Sequence, residues 1–281
     1  MLRKGTFILM KTKIQDMTSG SPGRLIILFA IPLMLGNICQ QLYTMVDTMV
    51  VGQVVGALGA VDFLMWVVTG ISTGLTQGFS IQLSQYYGAK DFENLRKSLA
   101  HSYRLTAFIA AGVLILSQSF ASLVLTGLHT PSNIIGMSLL YLRIIFCGIP
   151  ATAAYNMFAS ALRAMGNSKT PLTAMIIASV LNVSLDILFV AGFGWGVAGA
   201  AIATVIAQSF SAVYCFLILR RIDIVHLTRA DFMPASGMNA RLMKLGIPVV
   251  FQNIIIGVGG LVVQYVINGY GFLFVAGFTA T

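Results

Sequence analysis

Of the eight carboxylates in the chain, Asp47 and Asp186 sit well inside long apolar runs. On insertion scales a charged carboxylate near the centre of a bilayer costs about 2.5 to 3.5 kcal/mol, so a membrane helix that keeps one has a cavity or a partner to receive it. Asn182 comes four residues before Asp186, hence one turn away on the same helical face. Tyr43 stands in the same relation to Asp47, and Gln40 lies a further turn back. Both acidic residues come four or five residues before the outer end of their runs. At 1.5 Å per residue that is roughly 6 to 8 Å below the surface. Thr204 lies seven residues into a run that starts at Val197 and travels the other way, about 10 Å deep by the same rise. Asp47, Asn182, Asp186 and Thr204 therefore share one slab, where four oxygen-bearing side chains could hold a proton or a hard cation such as Na+. The alternative is that each caps or glues helices separately, or that Asp47 reaches outer water.

Other residues point less directly to chemistry. Asp62 falls in the first turn of the second run, where the helix dipole favours a negative charge and a structural role is expected. Arg143 either balances a carboxylate or snorkels to the interface. Pro32, Pro150 and Pro248 lie within runs and should kink their helices. Pro32 shares its run with Asp47, so a hinge there would couple ion occupancy to bending. His101, His129 and His226 sit at run ends or in loops, and no HExxH or nucleophile–base spacing accompanies them, which argues against an enzyme. Cys39, Cys147 and Cys215 all lie inside apolar runs and read as small buried hydrophobes rather than disulfides or metal ligands.

The elements that must position these residues are membrane helices. The chain of 281 residues is 57% hydrophobic and 9% charged, with mean hydropathy +0.89, whereas a soluble domain carries roughly 25% charged residues. Seven runs exceed the roughly 20 residues needed to cross a bilayer core: Leu25 to Val51, Ala57 to Tyr87, Tyr103 to Leu128, Ile134 to Leu162, Pro171 to Ala191, Val197 to Leu219 and Leu242 to Ile267. An eighth is expected to begin near Phe272. Their continuity excludes the short alternating strands of a β-barrel. Of the 17 Lys and Arg, all but Arg143 fall before the first run, in the even-to-odd connections or in the first turn after them. By the positive-inside rule the amino terminus is cytoplasmic in a multi-pass protein of the plasma (inner) membrane. The same alternation accounts for the net charge of +9 without a nucleic-acid partner.

Residues 1–23 form a cytoplasmic segment too short in apolar content for a cleaved signal. Residues 24–219 hold six spans, the polar stretch 220–240 is an inter-lobe linker, and 241–281 open a second lobe. At an offset of 216 residues, Ile31-Pro32 pairs with Ile247-Pro248 and Asn37-Ile38 with Asn253-Ile254, as expected of parallel six-span repeats. Gly70, Gly74 and Gly78 line one face of the second span, where small residues let backbones approach closely, and Gly196 to Ala201 open the sixth in the same way. Gly257, Gly259 and Gly260 belong to helix packing, since no strand precedes them and no GK[ST] follows.

LYTMVDTMVVGQ around Asp47, ALRAMGNSKTP from Ala161, NVSLDILFVAGFGWGVAGAAIAT from Asn182 and KLGIPVVFQN from Lys244 resemble the multidrug and toxic compound extrusion (MATE) family. The resemblance covers Met17 to the end. It implies twelve helices in two six-helix lobes, of which this chain supplies the first lobe and the seventh helix, so that a missing carboxyl-terminal lobe completes the transporter. It implies export of cationic or amphipathic drug-like molecules against H+ or Na+, with no resident cofactor. In the prokaryotic DinF-like branch an aspartate of the first helix, an Asn/Asp pair of the fifth and a threonine of the sixth carry coupling; these match Asp47, Asn182, Asp186 and Thr204. Tyr43 and Tyr141 match cavity tyrosines, and with Gln40, Asn156 and Gln208 they form the expected cavity lining. Asp62 departs from the family's small residue. A lipid-linked saccharide flippase of the same superfamily would need a cation-lined cavity, for which Arg143 is the candidate. A membrane fragment that transports nothing is the reading from another class.

Overall fold

The structure, a computed structural model, describes residues 21–51, 62–130 and 132–270. The side chains of Tyr43, Asp47 and Asp62 lie outside the described residues, as does the expected start of an eighth helix near Phe272.

Each expected span is a helix or a bent pair. Helix α1 (Pro22–Val51) runs without interruption through Pro32. Helix α2 (Asp62–Gly88) is followed by a tight turn with Lys90 at φ 58°. Helix α3 (Phe92–Gly127) begins well ahead of the apolar run expected from Tyr103. Its added turns are polar: Asp91 caps them by accepting from the Asn94 backbone N–H at 3.1 Å, and Lys97 pairs with Glu93 at 2.6 Å. Two hydrogen bonds from Asn94, one from its side chain and one from its backbone, hold the Asp91 carboxyl below its ordinary range.

The fourth span is not one helix. It breaks at Gly148 into α4 (Ile135–Cys147) and α5 (Ile149–Ala164), bent by 47°. Pro150 sits in the first turn of α5, where a missing N–H is tolerated, so the expected kink appears two residues earlier as a break. The fifth span is α6 (Lys169–Asp186) continued by a π-helical segment, Ile187–Gly192. Helix α7 (Gly196–Leu219), two 3-10 turns (Asp223–Val225 and Arg229–Phe232) and α8 (Met238–Gly269) follow. Pro248 leaves α8 unbroken.

By length and apolarity, α3, α6 with its π segment, α7 and α8 can each cross a membrane, and the α4–α5 pair makes a fifth crossing. In α1 the described apolar stretch is Leu25–Gln41, and α2 is diluted by Ser72, Thr73, Thr76, Gln77, Ser80 and Gln82. Large apolar side chains face outward, among them Phe108, Leu123, Val180 and Ile255, each more than 60% exposed. Water does not tolerate such a perimeter; lipid does. Inside, Phe79, Leu83, Leu99, Met157, Leu162 and Leu219 form one core, and Leu125, Leu142, Phe146 and Ala153 belong to a second.

The glycine stripe of α2 meets α8 backbone to backbone. A Cβ on Gly74 would stand 2.8 Å from the Val250 nitrogen, and one on Gly78 would collide with the Gly246 backbone. Asn253 donates to the Gly70 carbonyl at 3.1 Å in the same seam. Residues 220–237 fold back onto the start of α3: Asp231 lies 3.8 Å from Arg96, Arg104 donates to the Phe232 carbonyl at 3.0 Å, and His101 bridges Asn239 Oδ1 (2.7 Å) and the Met233 carbonyl (3.1 Å). Ile222, Val225 and Asp231 are buried in it.

Candidate functional site

Two groups of polar residues emerge, near opposite ends of the helices. The first joins α6 to α7. Asn182 donates from its amide to the Thr204 hydroxyl at 3.4 Å, and Asp186, one turn on, is fully buried. Asn182 Oδ1 is buried with no hydrogen-bond partner among the described residues. The regular winding of α6 stops at Asp186 and gives way to the π segment. Such wide turns are rare and gather at functional sites, because the extra residue per turn re-aims side chains. The segment is pinned by Phe189, Phe193 and Trp195, whose ring centroids lie 5.1 to 6.0 Å apart. Gly199 leaves room for it, since a Cβ there would come within 3.0 Å of the Phe189 Cβ. The sharp return to α7 uses Gly194 and Gly196 at φ +71° and +53°.

Helix α1 packs along α6 and reaches α7 and the π segment. Gly36 faces Leu172, and Ser179 bonds the Cys39 carbonyl at 3.5 Å, so the two helices ascend together. With equal rise in both, this register carries the backbone of residue 47 to the level of Asp186. Tyr141 of α4 packs against Val197 and Ala200 of α7, and Gln208 is half-buried one turn after Thr204.

The second group lines a polar cavity of about 320 Å³ among α1, α2, α5 and α6. Pro32, Gln40 and Asn156 belong to it, and Asn156 donates to the Thr73 hydroxyl at 3.1 Å. The expected single lining is therefore divided: Tyr141, Asn182, Asp186, Thr204 and Gln208 are not among the residues of this cavity. Sequence reasoning missed Thr73, Gln77 and Ser80, which follow the i, i+4, i+7 spacing of one helical face and line the cavity from α2. It also missed Arg163, counted only as a charge at a span end, which enters the lining and donates to the Ser160 hydroxyl at 3.0 Å. Arg143 is exposed on α4, and among the described residues no carboxylate pairs with it. Among the described residues no cluster of three His, Cys, Asp or Glu could hold a metal ion.

Known proteins resemble this chain in sequence and in fold. The MatE family model matches residues 32–188, more than half of the chain. The chain is 32% identical over 273 residues to the probable multidrug resistance protein YpnP of Bacillus subtilis, covering 95% of this chain and 61% of that one. It is 24% identical over 251 residues to the multidrug export protein MepA of Staphylococcus saprophyticus, covering 86% and 55%. It thus spans little more than half the length of these relatives. Among solved structures it matches an inward-facing multidrug resistance MATE family transporter with a TM-score of 0.80 at 22% identity, over 90% of this chain and 60% of that one. An outward-facing structure matches with a TM-score of 0.78 at 24% identity, over 84% and 53%. The family model, matched over more than half of the chain, leads to one assignment: this chain belongs to the MATE family of membrane transporters.

Proposed function

We propose that the chain forms the first lobe of a secondary exporter of the DinF-like branch, moving cationic or amphipathic small molecules outward in exchange for H+ or Na+. The observation that carries this reading is the full burial of Asp186 beside the Asn182–Thr204 bond, where α6 unwinds into its π segment. A carboxylate there is neutralised when a proton or Na+ arrives from the outer face. Its neutralisation changes what the α6–α7 seam and the neighbouring α1 must accommodate. Asp47, on the stretch of α1 level with Asp186, is assigned to the same event, with Pro32 as the hinge that passes it to the cavity lined by Gln40 and Asn156. The relatives' names, a probable multidrug resistance protein and a multidrug export protein, support the substrate class. The amino terminus and the Lys/Arg-rich end face the cytoplasm, and the protein resides in the inner membrane. A second lobe completes the pathway.

The test uses the full-length protein that contains this chain, reconstituted in liposomes. Ethidium export should follow an imposed proton or sodium gradient, and Asp186→Asn and Asp47→Asn should each abolish the gradient dependence. Gradient-driven export that survives both substitutions would sink the reading. Export that requires the helices beyond residue 281 separates a working lobe from a membrane fragment.

A further inference from the structure

The cavity among α1, α2, α5 and α6 is built around a cation. Arg163 is largely buried in its wall, and its hydrogen-bonding partners are the hydroxyls of Ser160 and Tyr155, both neutral. Among the described residues no carboxylate lines the cavity or comes within ion-pair distance of Arg163. Asp186 lies at the far end of α6, about 25 Å along the helix from Lys169. A guanidinium withdrawn from water and met only by neutral groups retains most of its unsatisfied charge. Its planar fork of donors matches a carboxylate or phosphate. Two neighbours strengthen that preference. Ser168, buried in the lining at the start of α6, offers its hydroxyl as a neutral donor, while Asn167 Oδ1 caps the helix by accepting from the Thr170 N–H at 3.0 Å. The amide-bearing Asn156 and Gln77 add neutral donors.

We propose that this cavity receives the anionic group of a ligand on Arg163, so that among the amphipathic compounds it admits, those that carry a carboxylate or phosphate are held more tightly than their neutral counterparts. The inference rests on reading the cavity as part of the substrate path and names the chemistry selected there. A cationic or apolar remainder of the ligand then lies toward α1 and Leu172, away from the guanidinium.

Binding can be read without transport. In phosphatidylcholine nanodiscs holding the full-length protein, fluorescence anisotropy compares dansylglycine (an anion), its neutral amide and dansylcadaverine (a cation). Dansylglycine should bind about tenfold more tightly than its amide, the value of one charge-assisted hydrogen-bonded contact. Arg163→Gln should erase the difference, and Arg163→Lys should restore part of it, which a merely structural arginine would not do. Weaker dansylglycine binding in phosphatidylglycerol discs would identify a lipid headgroup as the source of the anionic group, on the same site. Equal affinity for the three probes, or a preference unchanged in a folded Arg163→Gln protein, overturns the proposal. A protein that binds dansylglycine through Arg163 yet exports nothing keeps the anion site and removes only the exporter.

Discussion

Asn182 and Asp186 are placed where stability alone would put leucines. Asn182 has one long hydrogen bond, to Thr204, and a buried carbonyl oxygen with no partner among the described residues. A polar group left in that state weakens a fold, and an apolar residue of similar shape is often neutral or better. Thr204, relieved of Asn182, can bond its own helix as serines and threonines commonly do. The expected outcome for Asn182→Leu is a thermal unfolding midpoint in detergent equal to or above that of the parent, a change within about 1 kcal/mol, together with loss of gradient-driven export. A strongly destabilised Asn182→Leu protein would mean that the pair is there to hold α6 to α7. These residues were legible in the sequence because oxygen-bearing side chains stand out against an apolar run and helical rise fixes their depth. Arg163 was not. A basic residue at a span end is already explained by topology, and nothing in its spacing says that the side chain turns back into the lobe.

Among the elements, the seam between α2 and α8 makes the sharpest demand on residue size. Gly78 and Gly246 approach until no side-chain carbon fits between them. Gly78→Ala should therefore destabilise by about 1 to 3 kcal/mol, the usual range for overpacking a filled interface. At Gly112 of α3 an added methyl group would meet nothing within 4 Å, and Gly112→Ala should raise stability by up to about 1 kcal/mol through helix propensity. Paired melting curves in one detergent check both, and equal shifts would refute the packing argument. The spacing of four between Gly70, Gly74 and Gly78 made this contact face readable in advance, though not its partner helix. Of two other features, the bend of the fourth span was readable from Pro150 but not its place, and the π segment was not readable at all. The break at Gly148 depends on packing, since a Cβ there would meet Val205 of α7 at 2.7 Å. The π segment after Asp186 depends on the Phe189–Trp195 aromatic cluster against Gly199, a contact between residues with no periodic signature.

For the whole molecule, the distribution of Lys and Arg predicts how the lobe sits in the bilayer. The end that carries Lys90, Arg96, Arg104, Lys169 and Arg220 should face the cytoplasm, and the Gly192–Gly196 turn should face outward. In a background freed of Cys39, Cys147 and Cys215, Gly194→Cys should react with a membrane-impermeant maleimide added to intact cells. Lys169→Cys should react only after permeabilisation. The reverse pattern would invert the topology and with it the direction assigned to the ion.

The close fit of α8 on α2 carries a mechanical implication. With Gly78 against Gly246 and residues 220–237 clasped to α3 by Arg96, His101 and Arg104, any movement of α8 against α2 has to break these contacts first. Rocking of α8 would therefore strain the polar stretch before Met238 as well as the glycine seam, so the ion pair and hydrogen bonds of that stretch resist it in concert.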